Sequence, residues 1–137
     1  MHKKHAVLSL DDSIRLGLAS RSSAEETNYQ ATPFGHMLQA SDGPLCRCGL
    51  QGCIETYAEF CGILQCAFDE PADRIPTQFI PKEQMDQLAM KARDGDRMIR
   101  FAFRQAADVM AMGLSRLMTS HGPIDVGDCP RSWRGLF

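Results

Sequence analysis

Apolar and polar positions change period several times along the chain. Ala6 to Leu10 (Ala-Val-Leu-Ser-Leu) predicts a short strand, and Asp11-Asp12-Ser13 a turn. Ile14 to Ala19 alternates weakly and predicts the return strand of a hairpin. Ser20 to Gln30 is polar and predicts a loop. Pro33, Gly35, Gly43, Pro44, Gly49 and Gly52 then interrupt any regular ladder, so Ala31 to Gly52 predicts an irregular, loop-built segment.

Beyond it the period becomes helical. Ile54, Tyr57, Ala58, Cys61, Leu64 and Phe68 recur at three- and four-residue intervals and predict a helix over Ile54 to Phe68. Prolines make 69–81 a connection. Lys82 to Arg93 predicts a second helix, with Met85, Leu88, Ala89 and Ala92 on one face and Pro81 at its start. Asp94-Gly95-Asp96 stops it and offers a cap to the next. Arg97 to Ser120 predicts a third helix with a stripe of Ile99, Ala102, Phe103, Ala106, Met110, Gly113, Leu114 and Leu117. Gly113 costs that helix about 1 kcal/mol against Ala, a cost that a close helix contact explains. Gly122-Pro123 ends it, and Ile124 to Val126 predicts a short strand.

Composition narrows the class. A chain of 137 residues suits one domain and is too short for two ordinary ones. Its 44% hydrophobic and 23% charged residues are globular composition, which excludes a disordered tail. The net charge of −2 lacks the basic footprint of a stand-alone nucleic-acid binder. No apolar run approaches the roughly 18 residues that a membrane span needs. Ala6 to Leu10 is too short for a secretory signal, so the expected compartment is the cytoplasm. There, clustered cysteines favour a metal over disulfides.

Three of the six cysteines do cluster. Cys46-Arg47-Cys48-Gly49-Leu50-Gln51-Gly52-Cys53 follows His36 closely, and His36, Cys46, Cys48 and Cys53 form a closed tetrahedral set for structural Zn²⁺. Gly49 and Gly52 let the chain turn back so that Cys53 reaches the same ion. Cys61 and Cys66, five apart in a helical segment, read as core or boundary residues. Cys129 has no assigned role. Glu55 is suited to a helix N-terminus, where the macrodipole favours a carboxylate.

The run Gly35-His36-Met37, ten residues from His36 to Cys46, then Cys-x-Cys-Gly-x-x-Gly-Cys-x-Glu, resembles the signature of the ROK family (repressor, open reading frame, kinase). That family groups sugar kinases with sugar-responsive transcriptional regulators. The resemblance implies an α/β fold, part of an actin-like ATPase (ribonuclease H-like) architecture. It implies a partial ROK domain over 1–126, with a zinc loop at 35–55 and a divergent or disordered tail at 127–137. It also implies that His36 puts one ring nitrogen on zinc and the other near a sugar hydroxyl, and that Glu55 accepts from sugar hydroxyls.

Departures from the family pattern bear on activity. Pro33 stands where members commonly carry a sugar-holding Glu, and proline offers neither an acceptor side chain nor an N–H. The family's phosphate-binding turn and its Asn-Asp segment with the catalytic base have no match in this sequence, and neither does a winged-helix segment for DNA. Asp11 and Asp12 read as a solvated turn. The expectation is a zinc-binding, sugar-sensing part of a ROK-type regulator that neither phosphorylates sugars nor binds DNA alone. Two alternatives stand beside it: a sugar kinase or part of one, and a zinc-stapled interaction module that forms homo-oligomers through exposed apolar faces.

Overall fold

The computed structural model describes residues 4–10, 13–21, 27–69 and 81–128. Among the described residues, four strands form one sheet: β1 (Lys4–Leu10), β2 (Ile14–Arg21), β3 (Thr27–Thr32) and β4 (Asp125–Asp128), in the order β3-β2-β1-β4. β1 pairs antiparallel with β2, with Ala6 opposite Leu18 and Leu8 opposite Leu16. β2 pairs antiparallel with β3, and β4 returns parallel to β1 after the helices have crossed over.

The hairpin is where the sequence pattern places it. The polar stretch Ser20–Gln30 is not all loop: Ser20 and Arg21 extend β2, and Thr27–Gln30 belong to β3. The side chains of 28–31 in β3 are exposed, as an edge strand allows, so no apolar alternation marks it. The last strand starts one residue later than expected and takes in Gly127 and Asp128. Asp11, Asp12 and Cys129 lie outside the described residues, as does the rest of the tail.

Among the described residues, four helices follow the loop segment: α1 (Ile54–Ala58), α2 (Phe60–Ala67), α3 (Lys82–Arg93) and α4 (Arg97–His121). The single helix expected over Ile54–Phe68 is thus two. Glu59 between them is extended, with φ −69° and ψ 165°. Its carboxylate pairs with Arg47 at 3.1 Å, and Gly62 lets α2 fold back onto the Thr56 carbonyl, where a Cβ would collide. Asp96 caps α4 by accepting from the Ile99 N–H at 3.1 Å. Gly122, at φ +80°, ends it.

The core lies between one sheet face and the helices. Ala6, Leu16, Leu18 and Ile124 meet Ile54, Ala58, Ile63, Ile99, Ala102, Ala106 and Leu117 in one buried cluster. Gly113 sits where α4 crosses the start of α1. A Cβ there would collide with Ile54 Cδ1 and crowd the Phe34 ring at 3.0 Å. The glycine's helix cost is therefore offset by close packing against the two segments that bear His36 and Cys53.

Candidate metal centre

Phe34 and Ile54 are fully buried, and each anchors a ligand-bearing segment. Phe34 begins a short 3-10 turn, Phe34–His36, that presents the imidazole. Ile54 opens α1 directly after Cys53. The two segments are tied together by Ile54 N–H donating to Met37 O at 2.9 Å and Gln39 N–H donating to Gly52 O at 2.7 Å. Arg116 from α4 donates to Leu38 O at 2.7 Å and holds the same segment from outside.

Between them the chain makes a tight hairpin. Gly52 N–H donates to Pro44 O at 2.8 Å, Cys46 N–H to Leu50 O at 2.8 Å, and Gly49 N–H to Cys46 O at 2.9 Å. Gly49 turns at φ +89° and Gly52 at φ +73°, left-handed conformations that glycine adopts without Cβ strain. A Cβ at Gly52 would also run into the Ala40 carbonyl. Both turning glycines of the motif thus have a structural cause.

This backbone brings all four expected ligands together. One ligand atom from each of His36, Cys46, Cys48 and Cys53 lies within 4.8 Å of the others. Cys46 Sγ is 3.5 Å from His36 Nδ1, and Cys48 Sγ is 3.6 Å from Cys53 Sγ. With Zn–S near 2.3 Å and Zn–N near 2.0 Å, tetrahedral edges come to about 3.8 Å for S···S and about 3.5 Å for S···N. The donor set and its spacing fit Zn²⁺.

The thiols are not equivalent. Burial pushes Cys53 up to about 12, and burial also raises Cys46. A hydrogen bond from the Leu50 backbone lowers Cys48, which is exposed. A dication stabilises the thiolates against that burial and displaces their protons.

The imidazole and Glu55 also wall a cleft of about 260 Å³, whose other polar side chains come from Ser13, Arg15 and Thr32. Glu55 is buried in the first turn of α1. One of its oxygens accepts from the Ile14 N–H at 3.2 Å, and the other lies 3.6 Å from His36 Nδ1. It therefore sits both at a helix N-terminus and beside His36, so the two sequence readings of this residue occupy one place. Pro33 lines the cleft without a polar side chain. Cys61 is buried and Cys66 half-buried in α2, both outside the ligand cluster.

Sequence reasoning missed Arg47 and Glu59. Arg47 stands between two ligands in the chain, and its guanidinium reaches the buried Glu59 carboxylate. A charged residue inside the ligand motif was the available signal.

Comparison with known proteins places this architecture. The sequence model of the ROK family matches residues 27–124, well over half of the chain. The fold is similar to a ROK hexokinase from Thermus thermophilus, at 21% identity and a TM-score of 0.66, covering 96% of this chain and 44% of that one. It is similar to a ROK family glucokinase from Streptomyces griseus, solved with glucose and AMPPNP, at 25% identity and a TM-score of 0.65, covering 93% and 45%. A ROK family transcriptional regulator homologous to the E. coli MLC protein matches at 15% identity and a TM-score of 0.50, covering 92% and 41%. The chain spans less than half the length of each of these structures. The family-model match and the structural similarity together show that this chain belongs to the ROK family and carries part of its actin-like ATPase fold.

Proposed function

We propose that the chain is the zinc-binding, sugar-sensing part of a ROK-type transcriptional regulator in the cytoplasm, and that it is catalytically inactive by itself. The observation that carries this reading is the position of His36, which belongs at once to the four-ligand cluster and to the cleft wall. Bound zinc supplies no reaction here; it staples the 35–55 loop and fixes the imidazole tautomer.

The chain's own residues then do the recognition. His36 aims its free ring nitrogen at a sugar hydroxyl. Glu55 keeps one oxygen on the Ile14 N–H, and its second oxygen, 3.6 Å from His36 Nδ1, also accepts from the sugar. Pro33 removes an acceptor from the cleft wall, which supports sensing over catalysis. The cleft volume suits one monosaccharide unit, below the several hundred Å³ of drug-sized sites.

A second reading has its own support: two of the similar structures are sugar kinases. One assay separates the two. Purified protein is tested for zinc, for thermal shift across a panel of hexoses and N-acylated aminosugars, and for ATP-dependent phosphorylation of each. The regulator reading expects about one zinc per chain, a shift with at least one sugar and no phosphorylated product. Phosphorylation by this chain overturns it, and absence of zinc overturns the metal assignment.

A further inference from the structure

The four ligands differ in one respect that zinc binding does not require. Cys46 and Cys53 are buried, while Cys48 is exposed at the tip of the 44–52 hairpin. Its sulfur lies 3.6 Å from that of Cys53. Cys53 is held in place by its bridge to Leu38 and by Thr56 Oγ1 donating to its carbonyl at 2.6 Å. An exposed thiol on a turn therefore faces a buried thiol on a fixed backbone. Disulfide geometry needs the two sulfurs about 2 Å apart, and an exposed hairpin tip can supply that approach.

We propose that Cys48 and Cys53 form a redox switch: a hydroperoxide converts them to a disulfide, which dismantles the metal centre and releases His36 from its fixed place in the cleft wall. The step balances in two parts. The Cys48 thiolate attacks the peroxide O–O bond, forming an S–O bond and expelling hydroxide, or an alkoxide from an organic hydroperoxide. The Cys53 thiolate then attacks the Cys48 sulfur, forming S–S, breaking S–O and expelling hydroxide. Two thiolates lose two electrons, and one peroxide gains them. Only His36 and Cys46 remain as ligands, too few for a closed tetrahedral site. The 35–55 loop loses its staple, and sugar affinity falls with it. The switch rests on the zinc reading above, but the choice of cysteine pair does not.

The test treats the zinc-loaded 137-residue chain with a stoichiometric amount of hydrogen peroxide. A chromophoric chelator follows metal release, and peptide mass spectrometry maps the cross-link. The expected result is a Cys48–Cys53 disulfide, an intact mass lower by about 2 Da, and metal release in step with the cross-link. Dithiothreitol plus Zn²⁺ reverses all three. A variant with Cys61→Ser, Cys66→Ser and Cys129→Ser responds like the parent. A cross-link between any other pair, release without a cross-link, or metal retained after the cross-link forms overturns the proposal. Should the purified chain hold no zinc, that result removes the metal reading alone. The same mapping on that chain still decides the pair, and Cys48 oxidised without joining Cys53 overturns the switch.

Discussion

Cys53 carries more of the structure than its size suggests. It belongs to the four-residue cluster that could hold a metal, it precedes the first turn of α1, and its thiol sits among groups that exclude water. Its pKa, pushed up to about 12 from the ordinary 9.0, means that the fold without metal accommodates the protonated form. Between those two values the native state binds more protons than the unfolded chain, so stability falls as pH rises. Chelator-treated protein should therefore lose thermal stability from about pH 9 upward. The zinc-loaded protein should instead lose stability toward acid, as protons compete for the thiolates and imidazole. Melting curves against pH, with and without chelator, check both directions. Gly52 offers a second residue-level test. Gly52→Ala places a Cβ at φ +73° against the Ala40 carbonyl, and should cost at least about 2 kcal/mol in denaturant unfolding. A loss below 0.5 kcal/mol, within the usual scatter of surface substitutions, would count against that turn.

Between elements, the junction of α1 and α2 depends on a charge pair. The Glu59 side chain is 6% exposed and that of Arg47 48%, so only one partner is desolvated. Arg47→Ala removes a charged partner of the buried carboxylate, and should cost about 1–2 kcal/mol after allowance for solvent screening of the arginine. It should also loosen the metal loop, read as faster zinc transfer to a chelator. The contact of α4 with α1 is tested by Gly113→Val, whose side chain meets Ile54 and Phe34. Overpacking of this kind costs about 1–3 kcal/mol, measured as a drop in the unfolding midpoint. These two junctions differ in how well the sequence displays them. The α4 stripe was legible because burial follows helical spacing: Ile99, Ala102, Ala106, Met110, Gly113 and Leu117 are all inside. The break at Glu59 was not, because apolar spacing runs on from Ala58 to Cys61 and the extended conformation is sustained by a partner twelve residues away. β3 was hidden for another reason. Its stability comes from pairing with β2, and its exposed residues carry no alternation. The membership of the cluster was legible in full, since thiols, imidazole and glycines at that spacing predict side chains that converge. The cleft was not, because Ser13, Arg15, Thr32 and His36 meet only after the sheet has formed.

For the molecule as a whole, one loop joins two tasks. The hairpin of 44–52 closes the candidate metal cluster, and the 3-10 turn that carries His36 also walls the cleft. Metal, loop order and ligand binding should therefore rise and fall together. Among the described residues, no helix is long and apolar enough to cross a membrane. Yet Met98, Phe101 and Met112 stand exposed on one side of α4, and exposed apolar side chains favour association. Light scattering should show mass rising with concentration, and a constant monomer mass would contradict this. His36 belongs to both the candidate metal cluster and the cleft wall, so the identity of the metal decides how the cleft is held. Zinc K-edge X-ray absorption of the purified protein settles it. A Cys₃His zinc site gives about three sulfur neighbours near 2.3 Å and one nitrogen near 2.0 Å. An oxygen-dominated shell, or no zinc edge at all, would contradict it.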